Sequence, residues 1–306
     1  MAIMEKEHEM KGDTEKPEYS PELTDNVIAA TGPKAHPRLK QIMPSLVQHL
    51  HAICREVDLT VAELMMGVEL INECGRKSTD KRNETLLLSD ILGIESLADE
   101  ITSKLLLSGT STSDATPSAV LGPFYRADAP LLPNGSSIVS PQTGWYEQAK
   151  PLLANVSGRV LSKTTGKPIP DAIVDVWLAG PNGLYEQQDD EQPDMNLRGR
   201  FRTDALGRYE IVCLRPTPYP VPLDGPAGRL LGLLDRHPYR PAHIHFIVGA
   251  EGYRRLVTQI FDEEDGHVKD DAVFATKDEL LVKFERREGD ERARWSLVYD
   301  FTLGEA

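Results

Sequence analysis

The chain has 306 residues, a formal net charge of −14 and an isoelectric point near 5.1. This length is sufficient to bury the core of one large domain or two smaller ones without disulfides. The three cysteines show no CxxC spacing, and the acidic balance argues against a nucleic-acid partner because no basic stripe is available for phosphates. The N-terminal stretch lacks the apolar segment of a signal peptide, and no stretch reaches the length of a membrane span. We therefore expect a cytoplasmic protein without membrane insertion.

The first third of the chain has the pattern of amphipathic helices. Residues 1–23 predict a disordered tail, and residues 24–112 predict a helical domain. Apolar side chains recur at spacings of three and four over Leu39–Val57, which predicts a helix with one wide apolar stripe. Pro44 is expected to kink this helix or to mark its start. Thr60–Glu63 has a capping-box pattern that begins the next helix, and two shorter helices are expected after it.

A small-polar run, SGTSTSDATPS, separates these helices from a region in which the hydrophobic period is two. Residues 113–306 therefore predict an all-β domain built as an antiparallel sandwich. Hairpins are expected at the turn Asp204–Gly207, across residues 240–261 and across residues 280–301. The predicted fold class is α+β, with an N-terminal helical segment followed by this sandwich.

The stretch RPAHIHF places two histidines on one face of a predicted strand. Residues i and i+2 of a strand project to the same side, so His243 and His245 face together while Ile244 and Phe246 face the core. A lone histidine in a strand is more often a structural polar residue. Two on one face, with Arg240 nearby, indicate a metal site about as often as a structural role.

Side chains that complete such a site decide its chemistry. No HExxH or CxxC motif is present to complete a zinc site. Two tyrosines are candidates: Tyr185 follows a glycine turn in GLYEQ, and Tyr219 lies between prolines that fix its backbone. Phenolate oxygen is a hard anionic donor that suits ferric iron better than zinc or copper(I). Taken individually, each tyrosine is more often a rim aromatic with a hydrated hydroxyl.

Several long, ordered segments resemble the intradiol ring-cleaving dioxygenases, the catechol 1,2-dioxygenase superfamily. These segments are GRVLSKTTGKPIPDAIVDVWLAGPNGLYEQQ, MNLRGRFRTDALGRYEIVCLRPTPYPVPLDGPAGRLL and RHPYRPAHIHFIV. TPSAVLGPFYRADAP and the leading helices resemble the N-terminal portion of the same family. Within the family, PDMNLRGRFRTDALGRY joined to PYPVPLDGPAGRLL is most similar to hydroxyquinol 1,2-dioxygenases. The resemblance covers nearly all of the chain except the first two dozen residues.

The resemblance implies one mononuclear non-haem Fe(III) per subunit. The residues that match the family's iron ligands are Tyr185, Tyr219, His243 and His245. Tyr219 matches the ligand that leaves the iron when a small aromatic 1,2-diol binds, and it then accepts a proton from one substrate hydroxyl. Ferric iron makes the bound diolate reactive toward O2, and both oxygen atoms end in the product.

Two further residues match supporting positions of the family's active site. Arg240 matches an arginine that stabilises charge on the ring, since a guanidinium stays charged in a dry site. Its alternative role is a structural ion pair. Gln259, in VTQIF, matches a glutamine that supports the site, and it could equally be a polar surface residue of a strand.

The resemblance also implies a pocket for the aromatic ring. The matching wall positions are Leu87, Asp90, Val120, Leu121, Gly122, Pro123, Phe124, Val221, Pro222, Arg240 and Val273. Asp90 is informative because a carboxylate in an apolar wall could accept a hydrogen bond from the third hydroxyl of hydroxyquinol, 1,2,4-trihydroxybenzene. A helix cap or a solvent-facing residue is the alternative. We expect cleavage of hydroxyquinol to 3-hydroxy-cis,cis-muconate, the tautomer of maleylacetate, with catechol or a chlorocatechol as the alternative substrate.

The apolar stripe of the N-terminal helices bears on assembly, and two other function classes compete with a dioxygenase. By resemblance, the N-terminal helices pair two subunits into a homodimer and enclose phospholipid, whereas periodicity alone allows the apolar stripe to pack on the chain's own β domain. A β-sandwich binding module and a zinc hydrolase are the other function classes. Colour separates them, because tyrosinate-to-ferric charge transfer makes a protein wine-red and the two alternatives would be colourless.

Overall fold

The computed structural model describes residues 19–107, 115–290 and 292–306. The chain divides into two compact units, the first ending at Asn72 and the second covering Glu73–Ala306. Most of the predicted disordered tail lies outside the described residues, as does the predicted domain boundary between residues 112 and 113. That boundary and the tail stay predictions.

The first unit is helical, as the apolar periodicity predicts. It contains α1 and α2, and α3 begins in it; their bounds are Glu22–Ala29, Pro37–Glu56 and Val61–Lys77. Helix α2 begins beside His36, whose Nδ1 accepts a hydrogen bond from the backbone N–H of Arg38 at 3.2 Å. Pro44 therefore lies inside the helix and does not mark its start. None of the described helices is both long and apolar enough to cross a membrane.

The predicted capping box at the start of α3 is present. The backbone N–H of Thr60 donates to Glu63 Oε2 at 2.8 Å, and the N–H of Glu63 donates to Thr60 Oγ1 at 3.2 Å. These reciprocal bonds satisfy amides that have no partner within the first helical turn.

Four described α-helices belong wholly to the second unit, and one of them carries part of the pocket. They are α4, α5, α6 and α7, at Glu84–Ile91, Ile94–Leu107, Tyr146–Ala149 and Pro226–Leu233. Asn83 caps α4 by accepting a hydrogen bond from the N–H of Leu86 at 2.9 Å. This cap fixes the start of the helix that holds Leu87 and Asp90, both buried.

The remainder of the second unit is built from β-sheets. The six-stranded sheet has the order β1-β4-β3-β8-β9-β10, with bounds Leu131–Leu132, Arg198–Arg202, Ile173–Trp177, His243–Gly249, Leu256–Asp262 and Leu281–Val282. The second sheet has the order β11-β12-β2-β13, and β5 also pairs with β2; the bounds are Glu285–Arg286, Trp295–Val298, Leu153–Ser162, Phe301–Leu303 and Arg208–Leu214. Two short strands, β6 (Tyr219–Pro220) and β7 (Tyr239–Arg240), form a separate antiparallel pair.

Apolar side chains of the two large sheets form one core. Ile244 and Phe246 of β8 are fully buried in it, as the strand alternation predicts, together with Val156 of β2. The ring of Phe246 packs 5.0 Å from that of Phe301, a strand residue of the other sheet. The predicted helical segment followed by a β sandwich is therefore confirmed, although four strand pairs, namely β1–β4, β9–β10, β2–β12 and β2–β13, are parallel.

The hairpin predictions have different outcomes. Strands β8 and β9 pair antiparallel, and so do β11 and β12, which confirms the second hairpin and a short form of the third. The turn Asp204–Gly207 exists, with the N–H of Gly207 donating to the carbonyl of Asp204 at 2.9 Å. The strands on either side of it lie in different sheets, because β4 pairs with β3 and β5 pairs with β2. The hairpin predicted there is therefore wrong, and the turn connects the two sheets.

Candidate active site

Four buried side chains bring their donor atoms together at the end of β8. Tyr185 Oη lies 2.9 Å from Tyr219 Oη and 3.0 Å from His245 Nε2. His243 Nε2 lies 3.1 Å from His245 Nε2 and 3.3 Å from Tyr219 Oη. These are the four residues that the sequence comparison with the family selected as iron ligands. They come from three separate segments of the chain.

The local backbone explains how the two tyrosines meet. Tyr219 lies on β6, and Tyr185 follows a turn at Gly183, which has a φ of +79°. A Cβ at Gly183 would lie 2.9 Å from the Cβ of Tyr219. Glycine at this position therefore permits both the left-handed backbone and the close approach of the two tyrosine segments.

Both histidines are neutral, and the hydrogen bonding of His243 leaves its Nε2 lone pair directed at the cluster. His243 Nδ1–H donates to the carbonyl of Pro241 at 2.6 Å, so Nε2 carries no proton in the neutral ring. Burial, together with the nearby charge of Arg240, lowers the pKa of His243 to about 3. Burial and the neighbouring His243 lower the pKa of His245 well below its usual value. Both rings are therefore neutral ligands at neutral pH.

This donor set fits a ferric ion. Burial raises the pKa of both tyrosines, so in this structure two phenols and two neutral imidazoles converge. Ligands bound at about 2.1 Å from one ion lie about 3 to 3.5 Å apart, close to the 2.9 to 3.3 Å observed for neighbouring donors here. Hard phenolate oxygens favour a highly charged ion, and such an ion would hold the tyrosines deprotonated.

Arg240 lies beside the cluster but not on the histidine strand. It belongs to β7, where it pairs with Tyr219 of β6, so two neighbouring strands bring the guanidinium next to the tyrosine. Arg240 Nη1 lies 3.0 Å from His243 Nε2, and Arg240 Nη2 donates to Gln259 Oε1 at 2.8 Å. Gln259 lies directly opposite His245 on β9, and its Nε2 donates to the carbonyl of Val120 at 2.7 Å.

Asp271 is a partner of Arg240 that the sequence analysis missed. Arg240 Nε lies 3.2 Å from Asp271 Oδ1, and both side chains are buried. Burial opposes the charged form of Asp271, but the Arg240 guanidinium holds the pKa of this carboxyl below its usual value. The pair keeps the arginine charged and fixed in a dry site. In the sequence, Asp271 is one of several acids in a polar stretch, and no periodicity distinguishes it.

Two other unpredicted side chains hold the ligands in place. The indole of Trp177 stacks on the His245 ring, with centroids 4.7 Å apart and planes 10° apart. Arg198 lies over the ring of Tyr185 at 5.7 Å and forms a buried ion pair with Glu186 at 2.7 Å. Trp177 lies opposite His245 because of the register between β3 and β8. The sequence of a single strand does not determine this register.

A small cavity adjoins the cluster and contains most of the predicted wall. It is lined by Leu87, Asp90, Gly122, Pro123, Phe124, Tyr185, Tyr219, Val221, Pro222, Arg240, His245 and Val273. Val120 and Leu121 were also predicted here, but they do not line the cavity. Val120 contributes its backbone carbonyl to Gln259, and the N–H of Leu121 donates to Glu95 Oε1 at 2.8 Å. These two residues support the wall from behind.

Asp90 is the acidic residue of this wall, and the structure shows no salt bridge between it and a described basic side chain. It is buried, and its Oδ1 has no hydrogen-bond partner among the described residues. Burial, and then the neighbouring carboxyl of Glu95, raise the pKa of Asp90 to about 10. The interacting carboxyl groups of Asp90 and Glu95 therefore retain a proton between them at neutral pH. Asp90 is buried, so the alternative of a solvent-facing residue is wrong, and the cap of its own helix is Asn83.

Comparisons with family models and with known proteins give consistent matches over most of the chain. Residues 121–305 match the family model described as Dioxygenase, and residues 36–105 match the model described as Catechol dioxygenase N terminus. A catechol 1,2-dioxygenase of Candida albicans is 43% identical over 92% of this chain and 91% of its own length. A hydroxyquinol 1,2-dioxygenase of a Rhizobium species is 42% identical over 91% of this chain and 93% of its own length.

A solved structure shows the same architecture. The hydroxyquinol 1,2-dioxygenase of Pseudomonas putida DLL-E4 superposes with a TM-score of 0.78 at 38% identity, covering 93% of this chain and 98% of that one. The match therefore includes both the helical part and the β domain. The chain belongs to the intradiol ring-cleaving dioxygenases.

Proposed function

We propose that this dioxygenase cleaves hydroxyquinol between its two adjacent hydroxyl-bearing carbons, giving 3-hydroxy-cis,cis-muconate. The observation that carries the proposal is Asp90, a buried carboxyl group in the pocket wall with an unpartnered oxygen. A buried polar atom without a partner is costly. The additional hydroxyl of hydroxyquinol would provide that partner, whereas catechol has no hydroxyl there.

Tyr185, Tyr219, His243 and His245 are the residues that would hold one Fe(III) in each subunit. When bound, the ferric ion withdraws electron density from the chelated diolate and makes a ring carbon reactive toward O2. His243 and His245 would add no negative charge, and Tyr219 would be neutral once it holds the substrate's proton. The charge of the ion would then be balanced by the Tyr185 phenolate and the substrate's two oxygens. Trp177 and Arg198 keep the ligand rings in this arrangement.

The chain's own residues prepare the substrate in the adjoining cavity. Tyr219 would accept the proton of one substrate hydroxyl, since its Oη belongs to the donor cluster and the residue also lines the cavity. Arg240 stabilises negative charge on the ring, and its pair with Asp271 and its bond to Gln259 fix its direction. Apolar wall residues such as Phe124 and Val221 exclude water from the reacting ring.

Catechol is the second candidate substrate, and a specific observation favours it. The Candida albicans relative is a catechol 1,2-dioxygenase with 43% identity over 92% of this chain. Apart from the proposed iron ligands, Arg240 and Asp90, the wall residues are apolar and would accept an unsubstituted ring equally well. The two substrates differ in what they offer to Asp90.

Oxygen uptake distinguishes the two substrates. The iron-loaded protein is compared on hydroxyquinol, catechol and 4-chlorocatechol, and each product is identified by mass spectrometry. We expect the largest kcat/KM for hydroxyquinol and incorporation of both atoms of ¹⁸O2 into a ring-opened dicarboxylate. A larger kcat/KM for catechol would contradict the proposed substrate, and the intradiol chemistry would stand.

We also propose a cytoplasmic homodimer formed through the N-terminal helices. The support comes from α2, where large apolar side chains at helical spacing are exposed within one chain: Leu39, Ile42, Leu46, Leu50 and Ile53. An apolar stripe of this length favours a partner that covers it. Phospholipid in the same region stays a prediction from the resemblance.

A further inference from the structure

A second cluster of metal-binding side chains lies on the surface, outside the iron site. His237 Nε2 lies 3.4 Å from Asp270 Oδ2, and His267 Nδ1 lies 3.1 Å from Asp270 Oδ1. One ligand atom from each of the three residues lies within 4.8 Å of the others. Among the described residues, it is the one group of three or more His, Cys, Asp and Glu side chains whose ligand atoms lie this close together.

Two imidazoles and one carboxylate are a ligand set that Zn²⁺ uses in proteins, with water in the remaining position. Ligands at about 2.0 to 2.1 Å from a tetrahedral ion lie about 3.4 Å apart. His237 and His267 lie 3.4 and 3.1 Å from different oxygens of Asp270, and a set of one atom from each residue lies within 4.8 Å, so the three side chains would move slightly closer to bind one ion. All three side chains are at least partly exposed, so water can complete the coordination. We propose that His237, His267 and Asp270 bind a divalent transition-metal ion, best matched by Zn²⁺, at a site distinct from the iron.

The surroundings orient the imidazole of His267, whereas His237 has to change its tautomer to bind a metal. The ring of His267 stacks on that of Tyr239, with centroids 5.0 Å apart and planes 5° apart, which directs Nδ1 toward Asp270. His237 Nδ1 accepts a hydrogen bond from the backbone N–H of Tyr239 at 3.2 Å. Binding through Nε2 requires the other tautomer of His237, so this exposed contact is exchanged for the metal bond.

The position of the cluster links it to the active site. His237 precedes Arg240 by three residues, and Asp270 directly precedes Asp271, the buried partner of Arg240. The N–H of Ala272 also donates to the carbonyl of Tyr239 at 3.0 Å. An ion bound by His237, His267 and Asp270 would therefore crosslink the two chain segments that contain Arg240 and Asp271.

Equilibrium dialysis of the iron-loaded protein against ZnCl2 tests the site, with zinc and iron both quantified. We expect one zinc per chain without loss of iron. His267→Ala and Asp270→Asn should each weaken zinc binding at least tenfold, because each variant removes one of only three protein ligands. His49→Ala, which removes an exposed histidine of α2, is the matched control and should leave binding unchanged.

Thermal unfolding with and without zinc tests whether the ion stabilises the two segments that it would link. Zinc should raise the melting temperature of the wild type and of His49→Ala, because a ligand that binds only the folded state stabilises it. The melting temperatures of His267→Ala and Asp270→Asn should not respond. Zinc bound only in exchange for iron, equal binding by the variants, or binding without a change in melting temperature would each overturn the proposal.

Discussion

The proposed preference for hydroxyquinol rests on Asp90. Its carboxyl is buried in the wall that also contains Leu87 and Val273, and its Oδ1 lacks a partner among the described residues. From the sequence, Asp90 was predicted in the wall as an ionised carboxylate that only accepts hydrogen bonds. Burial and Glu95 raise its pKa to about 10, so the group can donate as well as accept a hydrogen bond to a substrate hydroxyl.

Replacing Asp90 by alanine should reverse this preference. One hydrogen bond from a buried carboxyl contributes about 1 to 3 kcal/mol, so we expect kcat/KM for hydroxyquinol to fall about 5- to 150-fold relative to that for catechol. Steady-state oxygen uptake on both substrates measures the ratio. An equal loss on both substrates would show that Asp90 supports the pocket without recognising the third hydroxyl.

The buried histidines predict a loss of stability in acid. The pKa of His243 is about 3 in the folded protein and 6.5 in the unfolded chain, so the unfolded state binds more protons between these values. The free energy of unfolding should therefore fall as the pH decreases from about 6.5 to about 3. A bound ferric ion acts in the same direction, because its ligands must be deprotonated.

Urea unfolding of iron-free protein between pH 4 and pH 7.5 measures this effect. His243→Asn should show a smaller decrease in stability over the range, since one histidine no longer takes up a proton on unfolding. Changes at other carboxyl groups are common to both proteins. Identical pH dependence in the variant and the wild type would contradict the assignment of a neutral, buried His243.

At the scale of elements, the tight turn at Gly183 holds the tyrosine segments together. Gly183→Ala should strain the left-handed backbone by about 1 to 2 kcal/mol and also force a Cβ to within 2.9 Å of Tyr219. Gly166→Ala is the matched control, because Gly166 also has a positive φ, of +64°, with nothing within 4 Å.

Both variants should lose similar stability from the backbone strain, but only Gly183→Ala should also lose iron. Chemical denaturation and iron content per chain are the two measurements. If Gly166→Ala lost as much iron as Gly183→Ala, general destabilisation and not the contact with Tyr219 would be the cause.

The sequence predicted single elements better than their pairing. The alternation around His243 and His245 correctly placed both rings on one face and Ile244 and Phe246 in the core, because strand geometry fixes side-chain direction locally. The turn Asp204–Gly207 was also found, but a turn does not specify whether its strands pair with each other or with strands of opposite sheets. Asp271 was missed for a related reason, since only the tertiary fold brings it to Arg240.

At the scale of the whole molecule, the exposed stripe of α2 predicts a dimer of about twice the 34.0 kDa chain mass. Leu46→Lys combined with Leu50→Lys should shift the protein toward monomer, because charged side chains would be buried without partners. Gln48→Lys, at an exposed position of the same helix, is the control. Light scattering after size exclusion gives the mass, and a monomeric wild type would contradict the predicted interface.

The four-ligand iron centre is the central claim, and the visible spectrum with iron content measures it most directly. We predict a wine-red protein with one iron per chain, whose tyrosinate-to-iron band is weakened in both Tyr185→Phe and Tyr219→Phe, while exposed Tyr239→Phe is unchanged. A colourless iron-loaded protein, or a band of full strength in both ligand variants, would contradict the account.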